Sequence, residues 1–233
     1  MKISRTIFRT LFCAVMVINF TACSSNDDPA PVLKEPEEEP VKEPPVPVIP
    51  PTSNRLEDLP ADKGGTHTPF VLGSTDADFG YYMYTPSEYD KGDHEYPLLI
   101  FLHGKSERGS GSNELAVLNK VLSIGPPRMI KDKKWNPKYP MLVVSPQFHI
   151  NEGNLNNWGG GDAQYLKRFI EHIVGKYRVN EKRIYLTGLS HGGNGIYDYL
   201  SKISDTENYI ACAAPVAGWA ANKNFDKCRN TPI

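Results

Sequence analysis

The stretch RIYLTGLSHGGNG, Arg183 to Gly195, decides how the rest of the chain is read. Its first half, RIYLTG, is an apolar, β-rich run of the kind that forms a strand buried on both faces. Its second half starts a segment, His191 to Ile203, that reads as a helix. Between them stands Gly188-Leu189-Ser190-His191-Gly192. A strand that turns straight into a helix needs glycine two residues before and two after the turning residue, because a Cβ there would block the turn. Such a turn lifts a serine hydroxyl clear of the sheet and sets it at a helix N-terminus. There the dipole and the free N–H of His191 face any negative charge that develops on a bound oxygen. This spacing predicts Ser190 as a nucleophile. A solvent-facing serine in a glycine-rich turn is the plainer alternative, and the strand-to-helix context weighs against it.

Working outward, YPLLIFLHG (Tyr96–Gly104) and YPMLVVSPQ (Tyr139–Gln147) are further continuous apolar runs. Asp162 to Tyr177 carries Tyr165, Leu166, Phe169, Ile170, Ile173, Val174 and Tyr177 on one helical stripe, with Asp162 as N-cap. FVLGS (Phe70–Ser74) and FGYYMYTP (Phe79–Pro86) read as opening strands, and YIACAAPVAG (Tyr209–Gly218) as the strand after the helix. Strands and helices alternating in this way predict an α/β fold, a mostly parallel sheet flanked by helices with right-handed crossovers. FLHGKSERGSG then places a loop directly after the third strand. His103-Gly104 aims the backbone N–H of Lys105 at the same oxygen that His191 faces, with His103 supporting the loop. An isolated strand-end histidine is the alternative reading of His103. No internal repeat is present.

The 233-residue chain has a formal net charge of −1 and 39% hydrophobic residues. It has neither a basic patch nor an acidic tail, which argues against nucleic acid as a partner. Residues 1–22 read as an export signal. Lys2, Arg5 and Arg9 precede the apolar run Leu11 to Phe20, which is too short for a membrane-spanning helix. Thr21, Ala22 and Cys23 close that run in the manner of a bacterial lipoprotein box, in which Cys23 becomes the lipidated first residue. SSNDD follows, similar to the acidic export signals of surface lipoproteins. Residues 23–55 form a Pro/Glu-rich tether, because proline removes backbone donors and favours polyproline II. Residues 56–233 hold the α/β domain. The expected location is outside the cytoplasm, lipid-anchored to a bacterial outer membrane on its surface or periplasmic face, and the expected state is a monomer.

Together, LLIFLHGKSERGSGSNEL, GPPRMI, YPMLVVSPQ, Trp158 and KYRVNEKRIYLTGLSHGGNG resemble a group of extracytoplasmic α/β-hydrolases. The group comprises the feruloyl and acetylxylan esterases of carbohydrate esterase family one, the related polyhydroxybutyrate-depolymerase-like proteins and those labelled predicted peptidases. The resemblance runs from about Pro69 to the C-terminus. It implies an α/β-hydrolase fold and Ser190 as nucleophile, with the Lys105 and His191 N–H groups as oxyanion hole. Trp158 and Gln147 would lie at the substrate rim. It also implies a substrate that is a polysaccharide ester or a peptide. Members usually carry methionine or a similar residue where this chain has His191, but only the N–H of that residue is required.

An elbow serine needs a histidine base and an acid to orient it, and in this fold both follow the serine. The six histidines are His67, His94, His103, His149, His172 and His191, and none follows His191. The expectation is therefore a C-terminally truncated serine esterase, weak or inactive as it stands. A serine peptidase of the same fold and a non-catalytic, glycan-binding surface lipoprotein are the alternatives. Cys212 and Cys228 are an even pair in an oxidising compartment and suggest a disulfide. No metal-ligand spacing and no cofactor motif is present.

Overall fold

The computed structural model describes residues 55–149, 158, 163–204 and 209–233. The export segment, Cys23, the Pro/Glu-rich tether as far as Thr52 and the expected N-cap Asp162 lie outside the described residues.

Six strands form one sheet: β1 (Thr66–Phe70), β2 (Gly80–Thr85), β3 (Tyr96–Leu102), β4 (Leu142–Gln147), β5 (Val179–Leu189) and β6 (Ile210–Val216). Their order is β1-β2-β4-β3-β5-β6. β1 and β2 pair antiparallel, as do β2 and β4, whereas β3 is parallel to both β4 and β5, and β5 to β6. The apolar runs named from sequence are thus the parallel centre, and the two opening strands form an antiparallel flank.

Side chains alternate across the sheet with the period of two that strands impose. Tyr81, Met83, Leu98, Ile100, Leu102, Leu142, Val144, Ile184 and Leu186 share one core with two helices, α3 (Ala163–Lys176) and α4 (His191–Lys202). The predicted α3 stripe is the buried one: Leu166, Phe169, Ile170 and Ile173 are all buried. On the opposite face Tyr82 packs with Leu118 and Val121, and Tyr84 and Val143 pack with Ile130 and Trp135. That face is covered by α1 (Leu115–Leu118) and α2 (Gly125–Lys131). The result is a helix–sheet–helix sandwich.

Two expectations need correction. FVLGS is not a strand. The strand is the preceding THTPF, and the chain turns at Val71, where the Ser74 N–H and hydroxyl both donate to the Val71 carbonyl, at 3.0 and 2.7 Å. Cys212 and Cys228 are thiols and not a disulfide. The Cys228 side chain is buried in the main core with its sulfur 3.7 Å from the Phe225 carbonyl, while Cys212 sits half-buried on β6, its sulfur against its own strand.

Candidate active site

The β5–α4 junction is built by exclusion of side chains. Register puts Leu102 of β3 beside Gly188 of β5, so both strands end at the same level. A Cβ on Gly188 would lie 2.8 Å from the Leu102 carbonyl oxygen, and one on Gly192 only 2.0 Å from it. The two glycines of the motif therefore let the first turn of α4 sit directly on the end of β3. The glycines beyond it serve packing. Gly193 abuts Gly218 after β6, and a Cβ on Gly195 would fall 2.2 Å from the Trp158 Cβ.

Ser190 itself has φ 55° and ψ −110°. A non-glycine residue there is strained, at a cost of order 1–3 kcal/mol, and persists because its surroundings fix it. Its N–H donates to the Val216 carbonyl at 2.8 Å and its carbonyl accepts from the Asn194 N–H at 2.9 Å. The backbone is thus held on both sides while the side chain is left out of the ladder. Among the described residues the hydroxyl has no hydrogen-bond partner.

His191 opens α4, so its N–H is one of the orphan donors of a helix start. Lys105 opens a 3-10 turn, Lys105–Glu107, directly after the Gly104 that follows β3. The two predicted oxyanion donors accordingly come from adjacent strand ends. The Lys105 loop is pinned from behind. His103 is buried, its Nδ1–H donates to the Gly104 carbonyl at 2.6 Å, and its Nε2 accepts from the Phe148 N–H at 2.9 Å. Acceptance at Nε2 requires a neutral ring, and burial lowers the His103 pKa to about 4. His103 thus ties the end of β3 to the end of β4.

Trp158 and Gln147, expected at the substrate rim, are both buried and bonded to backbone carbonyls. The Trp158 indole N–H donates to the His103 carbonyl at 3.0 Å, and its ring packs edge-on against Phe79 and His103. Gln147 is buried, and its amide donates to the carbonyls of Glu107 (2.9 Å) and Val117 (2.7 Å). Both brace the Lys105 loop and the strand end before it. Sequence reasoning missed Glu107, which is buried beside Gly104 and accepts from the Ser123 hydroxyl at 3.2 Å.

All six histidines are among the described residues, and none hydrogen-bonds the Ser190 hydroxyl. His67 lies on β1 against Tyr82, His149 against Phe79, and His172 on α3 near Tyr81. The His191 ring stands edge-on to Trp219, 5.3 Å between centroids. Burial and then the positive charges of Lys105 and Arg108 lower its pKa. The buried carboxylate on α4, Asp198, is occupied by Lys202 and Lys223 at 2.9 and 2.8 Å.

A sheet of order β1-β2-β4-β3-β5-β6 with a strained serine between β5 and the following helix is the α/β-hydrolase fold. No family model matches the sequence. Over 77 residues it is 32% identical to the bifunctional acetylxylan esterase/xylanase XynS20E of Neocallimastix patriciarum. That match covers 33% of this chain and 11% of the relative. Similar solved structures include the feruloyl esterase module from Clostridium thermocellum, 19% identical, covering 71% of this chain and 58% of that one (TM-score 0.44). Another is the acetyl xylan esterase from Aspergillus awamori, 16% identical, covering 72% and 57% (TM-score 0.46).

Proposed function

We propose that this chain carries the nucleophile and oxyanion donors of a serine-dependent carboxylic ester hydrolase acting on acyl or feruloyl esters of polysaccharides. The observation that carries the reading is the strained Ser190 at the head of α4, level with the Lys105 loop. The Ser190 oxygen attacks the ester carbonyl carbon. The carbonyl oxygen becomes an oxyanion held by the Lys105 and His191 N–H groups, the sugar alkoxide leaves with a proton, and water then releases the acid from the serine. The similarity to an acetylxylan esterase/xylanase over 77 residues supports a polysaccharide ester over a peptide as substrate.

Proton transfer needs a base, and none of the six histidines is bonded to the nucleophile. A histidine from outside these 233 residues would supply it. The 233-residue chain should then show only the residual ~10³–10⁴-fold acceleration that binding and an oxyanion hole give without a triad. Joining it to the C-terminal third of a feruloyl esterase should raise turnover of methyl ferulate or acetylated xylan by several orders of magnitude. Ser190→Ala should remove that gain. Robust Ser190-dependent turnover by the chain alone would refute the missing-base reading, and peptide cleavage without ester cleavage would refute the ester. The Cys23 anchor belongs to the same proposal: Cys23→Ala should abolish fatty-acid labelling and release the protein from membranes, and unchanged labelling would rule the anchor out.

A further inference from the structure

A cavity of about 750 Å³ lies on the antiparallel flank, lined by the loop before β1, by β1 and β2, and by the end of α2 with the residues after it. The C-terminal end of β2 pairs with the N-terminal end of β4, so this cavity is at the opposite end of the sheet from Ser190. Its wall is pre-formed. The Tyr84 hydroxyl donates to Asp62 Oδ2 at 2.6 Å and accepts from the Gly65 N–H at 2.8 Å, and Asp62 Oδ1 accepts from the Gly64 and Ser87 N–H groups at 3.1 Å each. Gly65 is pressed onto β2 so closely that a Cβ would meet the Thr85 carbonyl at 1.8 Å. The loop is thereby fixed in one position without any ligand.

Two features of the lining ask for an occupant. The Trp135 indole N–H and His67 Nε2 are both sealed from solvent with no hydrogen-bond partner, although both residues line the cavity. A buried indole N–H can only donate, so what is missing is an acceptor. The second feature is charge. Lys63, Lys131 and Lys133 line the cavity, Asp62 is its one carboxylate and is already held by three hydrogen bonds, and none of the three lysines makes an ion pair among the described residues. The volume is that of a small-molecule site. Polar rings that offer many oxygen acceptors, with carboxylates to meet the lysines, fit both features.

We propose that this cavity is a second, non-catalytic site for a short acidic saccharide whose sugar carboxylates meet Lys63, Lys131 and Lys133 and whose oxygens accept from Trp135. The site acts independently of Ser190. It would hold an acidic glycan on the face away from the reacting serine.

The test is titration of the whole chain with a uronic-acid trisaccharide, with a neutral xylotriose and with inorganic phosphate, followed by calorimetry and by Trp135 fluorescence. The acidic trisaccharide should bind and the neutral one should not. Lys131→Gln with Lys133→Gln should weaken binding about tenfold, and Trp135→Phe, which keeps the ring but loses the donor, about fivefold. Unchanged thermal melting of these variants keeps the comparison valid, and Lys63→Gln alone serves if the pair does not fold. Ser190→Ala should leave affinity unchanged. Absence of binding, equal binding of xylotriose, phosphate binding as tight as the saccharide, or loss of binding in Ser190→Ala would each overturn the proposal.

Discussion

The β5–α4 elbow and the cavity on the antiparallel flank are made in opposite ways. At the elbow, the geometry depends on side chains that are absent. Gly188 and Gly192 bring backbone onto backbone, and the chemistry offered is N–H groups and one hydroxyl. At the cavity, the geometry depends on side chains that are present, drawn from residues 62 to 136 and held by the Asp62–Tyr84–Gly65 bonds. A backbone-built site tolerates almost no substitution where it forms. A side-chain-built site loses a ligand more readily than it loses the fold.

The sharpest break of that contrast is Gly192→Ala. Its Cβ would meet the carbonyl of a central strand, which cannot move aside, so a loss of ~3 kcal/mol or more is expected in urea unfolding. An unchanged midpoint would mean that α4 does not sit on β3 as described. Next in size is His103→Leu, which orphans the Phe148 N–H and should cost about 2–3 kcal/mol. The same residue sets an acid limit. Its pKa is lowered from 6.5 to about 4, so the unfolded state takes up a proton first as pH falls. The stabilisation is complete above pH 6.5 and fades toward pH 4, with about 3 kcal/mol at stake. The variant should show a shallower decline, with the share from His67, lowered likewise by burial to about 4, still present.

A gain is expected from Ser190→Gly. Glycine adopts φ 55° without strain, so melting should rise by roughly 2–4 °C, for about 1 kcal/mol, while all chemistry at that position is lost. No gain would mean the serine is not strained. The smallest effect belongs to the cavity: Lys131→Gln with Lys133→Gln should change stability by less than about 0.5 kcal/mol, since both side chains are exposed and unpaired among the described residues. A larger loss would make the cavity part of the fold and not a site.

The same contrast explains what the sequence disclosed. Glycines that must be glycine, and apolar runs buried on both faces, leave a local signature, so β2 to β6, α3, α4, Ser190 and the Lys105 loop were readable. THTPF did not look like a strand because it is an edge. Three of its five residues are exposed and the other two only half-buried, and Pro69 is tolerated only where no ladder bond is needed. GPPRMIK became α2 through prolines in its first turn, with Gly125 at φ 61° tucked beneath the Phe101 ring, a contact no local pattern announces. Gln147 and Trp158 were placed near the Lys105 loop, but their bonds to backbone carbonyls were not legible, because those partners lie 40 and 55 positions away. The cavity joins three separate segments and had no sequence signal at all.

The strand order also has a consequence in time. Only β1 and β2 are near neighbours in sequence. Leu98 of the central strand β3 must wait for Leu142 and then for Ile184 before both its edges are paired. At synthesis rates of about 5–20 residues per second, the second partner arrives roughly 4–17 s after the first residue of that pair has been made. Through that interval Leu98, Ile100 and Leu102, all fully buried in the finished protein, lack their partners on β5. Nascent chains should therefore depend on holding factors while β3 lacks β5, and refolding from denaturant should be slow and prone to aggregation at high concentration.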